Sequence, residues 1–86
     1  MYYVYFLKSR KSNFVYIGCT SDLKRRFDQH NNGENKSTKL NAPYRLVYYE
    51  AFRNKLDAFH RERMLKHHGS VIGHLKKRIK RSIDNE

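Results

Sequence analysis

Aromatic and β-branched residues dominate Tyr2 to Leu7 without a polar interruption, which predicts a strand. A polar turn, Ser9-Arg10-Lys11-Ser12-Asn13, separates it from Phe14-Val15-Tyr16-Ile17, a second strand ended by Gly18. Five connecting residues suit a hairpin. Thr20 or Ser21 can cap a helix, with Asp22 in its first turn and Leu23 and Phe27, four apart, on its core face. Asn31 to Ala42 is the longest polar stretch and reads as a surface loop. From Tyr44 to Phe52, Arg45, Val47 and Tyr49 alternate with Leu46, Tyr48 and Glu50, a third strand. Asn54 can cap a helix whose apolar surface comes from Leu56, Phe59 and Met64, and Gly69 ends it. Ser70 can cap a last helix, with Val71, Ile72, Leu75, Ile79 and Ile83 as one apolar stripe. The order is β-β-α-β-α-α, three strands with helices packed on one side, an α+β class.

Length holds this to one domain over residues 1–86, with a modest core. Nineteen Lys and Arg against eight Asp and Glu leave +11, and no acidic block offsets it. That surplus points to polyanions, nucleic acid before an anionic membrane. Seven Tyr and five Phe argue against disorder despite the charge. A single cysteine, Cys19, excludes an intrachain disulfide framework and makes a reducing, cytoplasmic setting the expectation. No apolar run is long enough for a membrane span. His60, His67 and His74 recur every seven residues, but no Cys or Asp stands at ligand spacing, so a zinc site is not expected.

One constellation carries chemistry. Tyr3-Val4-Tyr5 and Tyr16-Ile17-Gly18 lie on the two hairpin strands. Arg26 follows Gly18 by eight residues, and His30 stands one helical turn further on. Glu62 lies on the later helix, four residues before Lys66, and Asn41-Ala42-Pro43-Tyr44-Arg45-Leu46-Val47-Tyr48 leads into the third strand. In this order and on these elements the chain resembles the GIY-YIG nuclease superfamily, most closely its small stand-alone bacterial members. The first triplet begins with Tyr3 where the pattern has Gly, and Cys19 stands where other members carry a polar or basic residue.

The resemblance implies a three-stranded antiparallel sheet flanked by helices and a metal-dependent endonuclease acting on DNA, weakly sequence-specific or structure-guided. It assigns Tyr5, Tyr16, Arg26, His30 and Glu62 to the catalytic site. One tyrosine orients or activates the attacking water, with Tyr5 favoured. Arg26 would grip the scissile phosphate, since its charged fork suits two oxygens. His30 would donate to the phosphate or share in proton transfer. Glu62 would be the one protein carboxylate on Mg²⁺ or Mn²⁺, which then binds weakly without substrate. Gly18 would let a phosphate approach the backbone. Lys24, Arg25, Lys39 and Lys66, with Lys76, Lys77, Arg78, Lys80 and Arg81, would contact backbone phosphates, adding affinity without sequence information. These 86 residues hold no separate DNA-binding domain, from which larger relatives take their specificity, so sequence-specific cleavage is not expected; duplex, branched and single-stranded DNA stay open as partners, and so does RNA. A monomer is the expected state. The alternative is a non-catalytic nucleic-acid-binding module of the same fold, with a partner protein supplying the targeting.

Overall fold

The computed structural model describes residues 1–85. Strand β1 (Tyr2–Ser9) lies at the centre of a three-stranded antiparallel sheet of order β2-β1-β3, flanked by β2 (Val15–Thr20) and β3 (Tyr44–Phe52). Val4, Tyr5, Phe6 and Leu7 are all buried, which is why the apolar run is continuous: a central strand here is covered on both faces. Gly18 does not end β2. The ladder runs through it, pairing Tyr5 with Gly18, Val4 with Cys19 and Tyr3 with Thr20. Nor does β3 alternate strictly. Phe6 faces Tyr48 while Leu7 faces Leu46, so Val47 is an extra residue in a β-bulge. The bulge reverses the alternation, sending Leu46 to one face of the sheet and Tyr48 to the other.

Helices cover both faces rather than one. Helix α1 (Leu23–Asn31) packs Leu23 and Phe27 against Tyr5, Leu7 and Tyr44. Helices α2 (Lys55–His67), α3 (Gly69–Arg78) and α4 (Lys80–Asp84) close the main core on the opposite face, where Ala58, Leu65, Leu75 and Ile79 meet Val4, Phe6 and Ile17. Asp22 is the cap of α1, its Oδ1 accepting the Arg25 N–H. Thr20 is diverted to Asp22, its hydroxyl accepting that residue's backbone N–H. Asn54 caps α2 as the pattern predicts. The burying residues of α2 are Ala58 and Leu65, however, with Leu56 and Phe59 left exposed.

The last apolar stripe is split between two helices. His68, not Ser70, precedes α3, and the chain breaks at Ile79 before α4. Leu75 and Ile79 carry the burial, and the Arg45 guanidinium donates to the carbonyls of Ser82, Ile83 and Asn85, groups a helix end leaves unpaired. Helix α2 is tied to β3 by Arg61, which donates through Nε and Nη2 to the Glu50 carboxylate at 2.9–3.1 Å. The Tyr48 hydroxyl donates to the same carboxylate. The resulting placement brings α2 alongside the β2 edge.

Candidate active site

Tyr5 is the centre of the site and is 2% exposed. Its ring lies across the neighbouring strand over Gly18. A Cβ at that position would stand 2.2 Å from the Tyr5 hydroxyl and 2.4 Å from Cζ. Gly18 therefore makes room for a tyrosine, and the space expected to admit a phosphate is filled from within the protein.

The hydroxyl ends in a buried polar chain. Tyr5 Oη lies 2.8 Å from His30 Nε2, and His30 Nδ1 lies 2.7 Å from Thr38 Oγ1. The Thr38 hydroxyl donates to the Asn35 carbonyl, which leaves it a lone pair for His30 Nδ1–H. This assigns Nε2 as an acceptor and Tyr5 as the donor. Tyr5, Tyr16 and Tyr44 enclose the imidazole, with ring centroids 5.7, 5.0 and 6.3 Å from it. His30 is 0% exposed and both its nitrogens are engaged, so it is not free to donate to a phosphate. Burial, helped by the Arg26 charge, lowers its pKa to about 4 and keeps it neutral.

Thr38 lies in the stretch read as a surface loop, and it is as buried as His30. Tyr44 donates its hydroxyl to the Thr38 carbonyl at 2.7 Å. Asn31, at the end of α1, accepts the Tyr44 N–H at 2.6 Å and donates to the Tyr44 carbonyl. These bonds draw the loop under the imidazole. Nothing in the polar pattern marked Thr38, because its partners are 8 and 6 residues away across an irregular segment.

Arg26, one turn before His30 on α1, stands beside the Tyr5 hydroxyl and opposes the effect of burial on it. Burial wins, and the Tyr5 pKa is pushed up to about 12. Arg26 Nη1 also donates to Gln29 Oε1 at 3.1 Å. Tyr16 is half-buried, and the Lys66 ammonium lies 5.2 Å from its ring centroid. Lys66 pairs with Glu62 at 3.2 Å, one turn away on α2. The Glu62 charge reaches both Tyr5 and Cys19, raising their pKa values. Burial is the main cause at Cys19, so the thiol stays protonated despite Lys55 and Lys66 nearby.

Tyr5, Tyr16, Arg26, His30 and Glu62 thus converge from β1, β2, α1 and α2. Among the described residues no group of three or more His, Cys, Asp or Glu is placed to hold a metal. Glu62 is a single, partly exposed carboxylate whose charge acts on the Tyr5 hydroxyl. That donor set suits a hard cation that keeps its waters and takes further oxygens from a phosphate, and it does not suit a closed protein cage.

The remaining expected contacts divide. Lys66 lies in the site. Lys24, paired with Asp28 at 3.2 Å, and Arg25 are exposed on α1, and Lys39 is exposed on the loop. Lys76, Lys77, Arg78, Lys80 and Arg81 are exposed on α3 and α4, which pack on the sheet face opposite the Tyr5 ring. They form a surface separate from the five converging side chains, and Lys80 is paired with Asp84.

Residues 1–76 match the family model described as the GIY-YIG catalytic domain. A UPF0213 protein of Clostridium perfringens is 45% identical over 67 residues, covering 77% of this chain and 71% of the relative. One of Staphylococcus saprophyticus is 39% identical over 66 residues, covering 76% and 79%. The solution NMR structure of a UPF0213 protein from Bacillus halodurans superposes with a TM-score of 0.56 at 33% identity, covering 93% of this chain and 86% of that one.

Proposed function

Since the chain belongs to the GIY-YIG nuclease superfamily, we propose that it is a divalent-metal-dependent endonuclease hydrolysing phosphodiester bonds in DNA. The observation that carries this reading is the convergence of two tyrosines, an arginine, a histidine and one carboxylate at the β2 edge. Phosphodiester hydrolysis needs an in-line water and compensation of charge on the phosphorus oxygens.

Arg26 is suited to grip two phosphate oxygens, its guanidinium already oriented by Gln29 and facing the Tyr5 oxygen. Tyr5 is a poor base: it is buried, its proton is given to His30, and its pKa is about 12. We assign it to positioning, holding Arg26 against the rigid His30–Thr38 chain. This reverses the preference for Tyr5 drawn from sequence. Tyr16 is the more open phenol and is the one we assign to the water. Glu62 would hold Mg²⁺ or Mn²⁺, displacing its contact with Lys66, and the bound ion would supply positive charge at the phosphate oxygens. The exposed cations supply sequence-independent affinity, so selection would follow DNA shape more than sequence.

The second reading is a binding module without turnover. Its supporting observation is that Glu62 is already ion-paired with Lys66. A nicking assay separates the two. Plasmid, branched and single-stranded DNA are incubated with Mg²⁺ or Mn²⁺ or with chelator, alongside Glu62→Ala and Arg26→Ala. Metal-dependent cutting lost in both variants is the expected result. Salt-sensitive binding with no cutting of any substrate would replace it with the module. The same substrates, with RNA added, rank the preferred partner.

A further inference from the structure

A second feature lies on the same sheet face as Tyr5 and takes no part in the site above. Helix α1 has nine residues, and it packs over Leu7, Leu46 and Tyr44. Beyond it Tyr49 is left exposed and Tyr3 half-buried. Their rings meet edge to face, 5.9 Å apart at 67°, and Tyr49 is 51% exposed. With Leu23, Phe27 and Leu46 they wall a groove of about 500 Å³, within the range of small-ligand sites.

The groove shares a sheet face with the catalytic cluster and adjoins it along β1 and β3. Tyr3 precedes Tyr5 by two residues, so both side chains leave β1 on one face. Tyr49 is the cross-strand neighbour of Tyr5 on β3. Phe27, in the groove, directly follows Arg26 on α1.

The polar groups at the rim decide what it can take. Lys24 is paired with Asp28, and the Asp22 carboxylate is held as the cap of α1. In a protein carrying +11 the residues lining this groove hold one cation, Lys24, and one carboxylate, Asp22, so the lining is electrically balanced and offers aromatic surface more than phosphate charge. A flat, neutral, partly polar group suits aromatic walls with an acceptor at the edge. Resting on the nuclease reading, we infer that the groove receives one unstacked nucleobase of the strand whose phosphate Arg26 grips. Bases stack on aromatic side chains whatever their identity, because each has a π-face. A strand with a base free to leave its stack, at a branch, an end or a single-stranded segment, then binds in preference to continuous duplex.

The test measures binding with chelator present, so that cleavage plays no part. Anisotropy of labelled single-stranded and blunt duplex DNA is followed across a salt series for wild type, Tyr49→Ala and Tyr49→Phe. Tyr49→Ala should weaken single-strand binding about 10-fold, the scale of one stacked base. It should leave duplex binding and the salt slope unchanged, because no phosphate contact is lost. Tyr49→Phe should restore the affinity. Equal losses on both DNAs, no loss on the single strand, or Tyr49→Phe failing like Tyr49→Ala would each overturn the inference. So would Tyr49-dependent dimerisation in sedimentation, which would give the groove to a second copy. Wild type binding both DNAs with Tyr49→Ala indistinguishable from it sinks the groove alone. Wild type binding neither withdraws the nuclease reading too. Photocross-linking of a halogenated pyrimidine oligonucleotide to the unaltered protein needs no variant to fold. Adducts at Tyr3 or Tyr49 are expected, and adducts only elsewhere would refute the groove.

Discussion

The phenol of Tyr5 occupies the volume in which any side chain at Gly18 would stand. The two are cross-strand partners in the β1–β2 ladder, so the close approach is built into the register of the sheet. It also explains why glycine, a poor strand residue, sits in the interior of β2. Gly18→Ala should force the ring away and break its bond to His30. Overpacking of this kind costs about 1–3 kcal/mol. Denaturant unfolding should show that loss, and nicking activity should fall with it. With Tyr5→Ala the obstacle is gone, so the double variant should be no less stable than Tyr5→Ala by itself. Additive losses would mean that Gly18 serves something other than the ring.

Thr38 should matter for a reason that its place in a polar loop does not suggest. It accepts the Nδ1–H of a histidine that has no access to water. Thr38→Val keeps the shape and removes the acceptor, leaving a buried donor unpaired at a cost of about 1–3 kcal/mol. Thr38→Ser should recover most of that stability. Equal stability of Thr38→Val and wild type would mean that water or another group takes over the bond.

How far these features were legible in the chain depends on distance along it. Short-range periodicity placed Arg26 and His30 on one helical turn and the two tyrosine triplets on one hairpin, while their union in one site came from the family pattern. Glu62 came from the family pattern, since no local rule brings α2 to the β2 edge. Thr38 was hidden because its burial depends on Asn31 and Tyr44 pinning the loop, contacts that have no period. The exposed Phe59 and the bulge at Val47 defeated apolar pattern and strict alternation for one reason. Both depend on which partner surface an element meets, and tertiary packing decides that.

Arg61 and Glu62 are consecutive on α2 and should separate stability from activity. Arg61 joins α2 to Glu50 on β3, whereas the ion pair of Glu62 is with Lys66 on its own helix. The Arg61–Glu50 pair is partly solvated, so Arg61→Ala should cost about 1 kcal/mol. Glu62→Gln should leave the unfolding midpoint near wild type while cutting falls about 100-fold or more, the scale of losing one charge-compensating group. Thermal melting and nicking rates on the same preparations check both. A Glu62→Gln protein that cuts normally would remove the carboxylate from the chemistry.

The buried imidazole gives stability a pH dependence whose direction is fixed. Unfolded, a histidine titrates near 6.5, and folded His30 titrates near 4, because burial and the Arg26 charge disfavour the imidazolium. Between these values the unfolded chain binds the extra proton. Stability is therefore complete above about pH 6.5, declines as pH falls toward 4, and loses no more to this group below that. The full swing is of the order of 3 kcal/mol at about 1.4 kcal/mol per pH unit. Urea unfolding at half-unit steps from pH 4 to 8 measures it, with His30→Gln as the reference because glutamine carries no titrating group. The part of the slope that vanishes in His30→Gln belongs to His30. Parallel profiles for the two proteins would mean that the imidazole titrates freely in the folded state, and the Tyr5–His30–Thr38 chain would then not be a closed, neutral unit.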